Sequence, residues 1–218
     1  MRVVLVHGMG RTPVSMMPLA RALRRAGHET DLLGYVPGVE SFPRIRARVR
    51  QRLLRLAAAG RPYAAIGHSL GGILLRAALG GWPQGTPRPE HLILLGSPSR
   101  PPRLARRFHR QLPYRWINGQ SGQLLARPTF YSVLPADAVP CTVIAGTRGW
   151  ERIGTLFDGV PNDGIVALDE AAPAPGGRAD MRTLQVSHTF MMNNRRVREI
   201  ILELLAQGGN ASVAVTGK

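Results

Sequence analysis

Apolar residues are distributed along this chain in two ways, as short runs and as longer stretches in which they return every three or four positions. The short runs fall at residues 2–6, 29–33, 63–66, 91–95, 141–145 and 181–186 and predict six strands. Val3-Val4-Leu5-Val6 has no polar interruption, the pattern of a strand covered on both faces in a parallel sheet. The periodic stretches predict helices between them. In the first, Ser15 is the expected N-cap, Pro18 falls in the opening turn, Leu19, Ala22, Leu23 and Ala26 keep helical spacing, and Gly27 ends it. A second starts at Ser41 and Pro43 and sets Ile45, Val49, Leu53, Leu54 and Leu56 against an outer face of Arg44, Arg46, Arg48, Arg50, Arg52 and Arg55. A third, 70–79, is apolar nearly all round and so predicts a central position on the sheet, closed by Gly80-Gly81 and Pro83. The last runs from about Asn194 through Val197, Ile200, Ile201, Leu204 and Leu205 to Gly208.

Strands alternating with helices predict an α/β fold, a doubly wound, mainly parallel six-stranded sheet with helices on both faces. The length of 218 residues, 44% of them hydrophobic, suits one domain over 1–207, with 208–218 as a flexible tail. The longest stretches without regular pattern, 97–139 and 147–180, both follow strand C-termini, the sheet edge where ligands bind in open α/β folds. Residues 97–139 are therefore the expected cap or pocket wall. Within them, Pro102 to Leu112 predicts one helix with Leu104 and Phe108 on one face and Arg103, Arg106, Arg107 and Arg110 around the rest.

Charge changes this picture less than its size suggests. Lys and Arg number 29 against 13 Asp and Glu, a formal net charge of +16, which raises anionic partners. Lys218 is the only lysine, however, and the arginines are spread along the chain, so compositional bias explains them better than a binding face. Nucleic acid is disfavoured as a partner, and peripheral contact with an anionic membrane is the one to test. Cys141 is the single cysteine and cannot form an internal disulfide. The first apolar run is too short for a signal peptide and no stretch approaches the ~20 apolar residues of a membrane helix, which makes cytoplasmic the expected location.

The chemistry centres on Gly67-His68-Ser69-Leu70-Gly71. A strand ends at Ile66 and an apolar helix begins at Leu70, so this G-x-S-x-G sits where a nucleophile elbow lifts a serine hydroxyl clear of the backbone. Gly67 and Gly71 let strand and helix approach closely around it. A serine hydroxyl is a poor nucleophile until a base takes its proton, a third group orients that base and donors receive the oxyanion. In strand–elbow–helix hydrolases those partners follow in the order Ser, acid, His, each after a later strand. Asp163, in Asn162-Asp163-Gly164-Ile165-Val166, follows the fifth strand, and Asp158, Asp169 and Asp180 compete with it. His188 alone among six histidines follows the last strand. His28, His91 and His109 read as surface residues, His68 as a structural part of the elbow, and His7 as a brace for the loop His7-Gly8-Met9-Gly10. The backbone N–H groups of Met9 and Leu70 are the expected oxyanion donors.

Taken together, these motifs, with Leu95-Gly96-Ser97-Pro98 after the fourth strand, resemble the α/β-hydrolase superfamily, and within it the small bacterial lipases and esterases that lack a large lid. The resemblance spans nearly the whole chain. It implies a Ser69, Asp163, His188 triad acting through an acyl-enzyme on carboxylic esters, no cofactor and no metal, and a minimal sheet in the order 2-1-3-4-5-6. Acyl transfer and lysophospholipase action are variants of the same chemistry. The sequence departs from the pattern at 98–116, where Arg100, Arg103, Arg106, Arg107, Arg110 and Arg115 replace a less charged segment. Two function classes remain open on these residues: an esterase or lipase acting on a small-molecule or lipid ester, and a non-catalytic lipid- or nucleic-acid-binding protein on a hydrolase fold.

Overall fold

In the computed structural model, which describes residues 1–135, 139–149, 155–173 and 179–213, six strands form one sheet. They are β1 (Arg2–Val6), β2 (Glu29–Leu33), β3 (Tyr63–His68), β4 (Leu92–Leu95), β5 (Cys141–Gly146) and β6 (Asp180–Leu184). The order is β2-β1-β3-β4-β5-β6 and every neighbouring pair is parallel. Both faces are covered, which is why the central strands contain no polar alternation. Val3 and Leu5 of β1, with Ala64, Ile66, Ile93, Leu95 and Ile144, meet α1 (Met17–Arg25) and α8 (Arg195–Val213). Val4, Val6, Ala65, Leu92, Leu94 and Val143 point the other way, onto α2 (Phe42–Ala58) and α3 (Leu70–Leu79). The edge strands are different: β2 opens Glu-Thr-Asp and β6 reads Asp-Met-Arg-Thr-Leu, half-exposed and charged, which discourages pairing with another chain.

Several local expectations change. The chain enters its first helix through a 3-10 turn, Pro13–Met16, so Ser15 is not the cap of α1; its hydroxyl donates to the Thr12 carbonyl inside that turn, a local bond serine makes readily. The 97–139 segment is not patternless: it contains α4 (Arg103–Phe108), α5 (Leu112–Leu125) and α6 (Pro128–Ser132). Each is short, and Pro113 and Pro128 open the latter two, so no periodicity lasts long enough to be read. The single helix expected from Pro102 to Leu112 stops at Phe108, because Gln111 is extended (ψ 136°) ahead of Leu112-Pro113, where proline suits a helix start and not its interior. A fourth short helix, α7 (Leu168–Ala171), lies in the loop after β5. Asn194 accepts from the Val197 N–H at 3.1 Å at the start of α8, but that helix runs past Gly208 to Val213. A glycine inside a helix costs only ~1 kcal/mol, too little to end one anchored by Val197, Ile201 and Leu205. The remainder of the expected tail, 214–218, lies outside the described residues.

Candidate active site

The site is assembled at the C-terminal ends of the strands. The turn between β3 and α3 holds Ser69 at φ 51°, ψ −121°, a conformation a serine adopts only at a cost of order 1–3 kcal/mol. Its surroundings over-determine it. The Ser69 N–H donates to the Leu95 carbonyl (2.9 Å), and the Ser69 carbonyl accepts from the Gly72 N–H (3.0 Å) and the Ser97 hydroxyl (2.8 Å). A Cβ at Gly67 would strike the Gly72 backbone, and one at Gly71 would lie 2.6 Å from the His7 carbonyl oxygen, so only glycine permits the turn.

Beside the elbow runs the loop after β1. The site a Cβ would occupy on Gly8 is 3.0 Å from the Ser69 Cβ, which brings the Gly8-Met9 backbone against the serine. Leu70, the other expected donor, is the first residue of α3. The loop is braced from beneath by His7, which is fully buried and stacked on Tyr35 with ring centroids 4.2 Å apart. The Tyr35 N–H donates to His7 Nε2 (3.3 Å), so Nδ1 carries the proton and donates to the Gly8 carbonyl (2.8 Å), while the Tyr35 hydroxyl donates to the His7 carbonyl (2.7 Å). Burial pushes the His7 pKa down and the Tyr35 pKa up, keeping both neutral and both bonds intact.

On the opposite flank, His188 Nδ1 lies 2.7 Å from Asp163 Oδ2, both side chains buried. Oδ1 of the same carboxylate accepts from the N–H groups of Ile165 (2.9 Å) and Val166 (2.7 Å), and the His188 N–H donates to the Asp163 carbonyl (2.9 Å). Asp163 and His188 are thus joined through side chain and backbone alike. The three competing carboxylates bond elsewhere: Asp158 and Asp169 to Arg103, Asp180 to Arg182. Gly96, at φ 53°, packs against the pair; a Cβ there would lie 2.9 Å from His188 Nδ1 and 3.0 Å from Asp163 Oδ2. Since Gly96 follows the Leu95 carbonyl that holds Ser69, the serine and the His–Asp pair are parts of one cluster.

His68 does more than the elbow alone requires. Its Nε2 is 3.0 Å from the His188 carbonyl oxygen, an acceptor only, so Nε2 carries the proton; the two rings are 4.6 Å apart. Burial, then the neighbouring His188, holds its pKa well below the ordinary value, and it remains a neutral support under His188. Of the histidines read as surface residues, His91 is half-buried and bonded to Thr142 Oγ1 (2.9 Å), and burial lowers its pKa.

Three residues of the site, Tyr35, Arg103 and Glu170, have no warning in the motifs, whereas Ser97 belongs to Leu95-Gly96-Ser97-Pro98. Tyr35 and Ser97 support the backbone on either side of Ser69, as described. Arg103 and Glu170 form a hub: Arg103 pairs with Asp158, Asp169 and Glu170 at 2.9–3.0 Å, its own N–H donates to Glu170 Oε1 (2.6 Å), and Glu170 Oε2 accepts from the Ala167 N–H (2.9 Å). This ties the start of α4 to the Asp163 loop, so Arg103 is a bridge and not a solvated cation. Among the described residues no group of three or more His, Cys, Asp or Glu side chains could hold a metal ion, and no helix is long and apolar enough to cross a membrane.

Known proteins add to this in a graded way. No curated protein matches the sequence. Solved structures share its fold at low identity. A thioesterase from the prodiginine biosynthetic pathway in Streptomyces coelicolor is 18% identical, with TM-score 0.63 over 95% of this chain and 90% of its own. A Bacillus licheniformis lipase is 16% identical, with TM-score 0.65 over 94% and 91%. A metagenomic carboxyl esterase is 20% identical, with TM-score 0.69 over 86% of this chain and 64% of its own. A model of the alpha/beta hydrolase family matches residues 3–216, which with the sheet order and the strained serine turn makes this chain a member of that family.

Proposed function

We propose that the protein is a serine hydrolase of carboxylic esters, working through an acyl-enzyme on Ser69. The observation that carries this reading is the buried 2.7 Å contact between His188 Nδ1 and Asp163 Oδ2 beside a strained serine. With Nδ1 donating to the carboxylate, Nε2 is the ring nitrogen left to accept the Ser69 proton. Oγ then forms a bond to the substrate carbonyl carbon, and the carbonyl electron pair moves onto oxygen, received by the N–H groups of Met9 and Leu70. Collapse of that oxyanion breaks the bond to the alcohol oxygen, which takes the proton from His188. Water repeats the sequence to release the acid. Asp163 holds the imidazole in the tautomer the reaction needs.

The test is labelling with a fluorophosphonate probe. Wild type is expected to be labelled on Ser69 and to hydrolyse p-nitrophenyl acetate, and Ser69→Ala to lose both, with turnover down by about 10⁴ or more. Wild-type turnover in Ser69→Ala sinks the reading, and an unlabelled wild type favours a non-catalytic binding protein. A thioester is a second substrate class, supported by the fold shared with the Streptomyces coelicolor thioesterase. The same acyl-enzyme serves both, and paired oxygen and sulfur esters of one acyl group distinguish them.

A further inference from the structure

A groove of about 650 Å³ opens beside the oxyanion loop, a volume in the range of small-molecule sites. It is lined by Pro13 and Tyr35, by the loop at residues 34–40 with Val36 and Val39, and by Trp116 and Ile117 in the first half of α5. The loop and α5 are held together by backbone contact and by one side-chain bond. Gly119 breaks α5 at φ 52°, where a Cβ would strike the Pro37 carbonyl oxygen, and Gln120 Oε1 accepts from the Phe42 N–H at 3.0 Å. Apolar side chains that face solvent gather here: Val39 is 86% exposed, Trp116 76%, Ile117 62% and Val36 57%. Side chains of this size left in water along a preformed cleft mark a surface that something apolar covers.

Three charged residues line the groove. Glu40 and Arg48 pair with each other, and Glu40 Oε1 also accepts from the Val36 N–H (2.8 Å), so their charges are compensated. Arg11 stands two residues from Met9, at the oxyanion-loop end. The interior therefore suits an uncharged chain.

Strand order decides which part of an ester lies here. Residues after β1 and β2 line the groove, joined by Trp116 and Ile117 of α5, which follows β4 but rests its backbone on Gly38 of the 34–40 loop; Asp163 and His188 follow β5 and β6, on the other side of Ser69. The leaving alcohol takes its proton from His188 and must sit on that flank, where Ile165 and Phe190 are exposed. The flank that remains is for the acyl group. Resting on the hydrolase reading above, we infer that the groove binds the acyl chain of a medium- or long-chain ester, with Val39, Trp116 and Ile117 setting the preferred length.

The test is a homologous series of monomeric p-nitrophenyl esters from acetate to dodecanoate, assayed with wild type, Trp116→Ala and the double variant Val39→Ser, Ile117→Ser. These side chains are exposed, so their removal does not threaten the fold. Wild-type kcat/KM should rise up to about fourfold per added methylene until the groove is full, the equivalent of ~0.8 kcal/mol per buried CH₂. In the variants the decanoate-to-acetate ratio should fall on the order of tenfold or more. An unchanged ratio, or an equal fall at all lengths, overturns the assignment. Calorimetry of p-nitrophenyl decanoate in the Ser69→Ala background reads the groove without turnover: binding lost on adding Trp116→Ala supports it, and no binding overturns it. Failure of the hydrolase reading is separate, appearing as an unlabelled Ser69 in wild type.

Discussion

Ser69 has two flanks made of different material. Toward β1 and β2 the lining is apolar and open, with Val36, Val39, Trp116 and Ile117 in water, held by backbone contacts at Gly38 and Gly119 and by the side chains of Glu40 and Gln120. Toward β5 and β6 the groups are polar and closed in: Asp163, Glu170 and His188 are buried, and each makes at least two directional bonds. The contrast fits the chemistry proposed for the two flanks. Proton transfer needs donor and acceptor held to within ~0.5 Å and 10–20°, which buried hydrogen bonds supply. An apolar chain needs area and shape, which side chains without directional demands supply at a lower cost in specificity.

The strongest way to break the comparison is Asp163→Asn. An amide offers His188 Nδ1 an N–H or a neutral oxygen in place of the carboxylate, so the tautomer is no longer enforced, and kcat on a short-chain ester should fall about 10⁴-fold with the fold retained. A loss below tenfold would mean that the polar flank is structural only. Arg103→Met comes next. It strips Glu170 of its ion-pair partner in a buried position, for an expected loss of about 2–3 kcal/mol in denaturant unfolding, at or below the low end for a buried pair because Arg103 reaches solvent. Arg195→Met, on the exposed face of α8, is the control and should leave the midpoint unmoved.

Acid sharpens the comparison further. His7 and His68 have pKa values lowered in the folded state, so below the unfolded value near 6.5 the unfolded chain binds protons that the folded one does not. Their contribution is fully present above about pH 6.5 and is lost as pH falls from there toward the folded values, by up to ~1.4 kcal/mol per pH unit for each histidine. Melting temperature measured from pH 7.5 to 5 should fall more steeply in wild type than in His68→Gln. The smallest effect belongs to Tyr35→Phe, which deletes the bond to the His7 carbonyl and should cost about 1 kcal/mol of stability and a few-fold in kcat. If stability falls and kcat does not, Tyr35 braces the fold and not the oxyanion loop.

How much of this could be read beforehand follows from how local each feature is. The elbow is legible because strand end, glycines, serine and helix start occupy one stretch, 63–79, and the glycines are demanded by contacts within it and with the adjacent β1. Asp163 and His188 are legible as positions in a chain order, and the structure brings these two together while Asp158 and Asp169 turn to Arg103. Tyr35 is not legible, since its partner His7 is 28 residues away and nothing about a tyrosine after a strand specifies a stack. Glu170 and Arg103 are separated by 67 residues, and in sequence one is an acid in an alanine-rich loop and the other an arginine among many. The helices of 97–139 are hidden for a different reason: prolines and Gly119 interrupt the pattern wherever it would become long enough to see.

The sequence by itself determined the six strands, the parallel sheet buried on both faces and the glycine-permitted turn at Ser69. Backbone sterics and hydrophobic periodicity act over a few residues and leave few alternatives at that range. Only the tertiary structure decided which arginine is a bridge and which is solvated, that His68 lies under His188, and that Trp116 and Val39 line one groove. Those depend on where chain segments tens of residues apart come to rest. An arginine, a buried imidazole or an exposed tryptophan has its meaning set by the partner that packing brings to it.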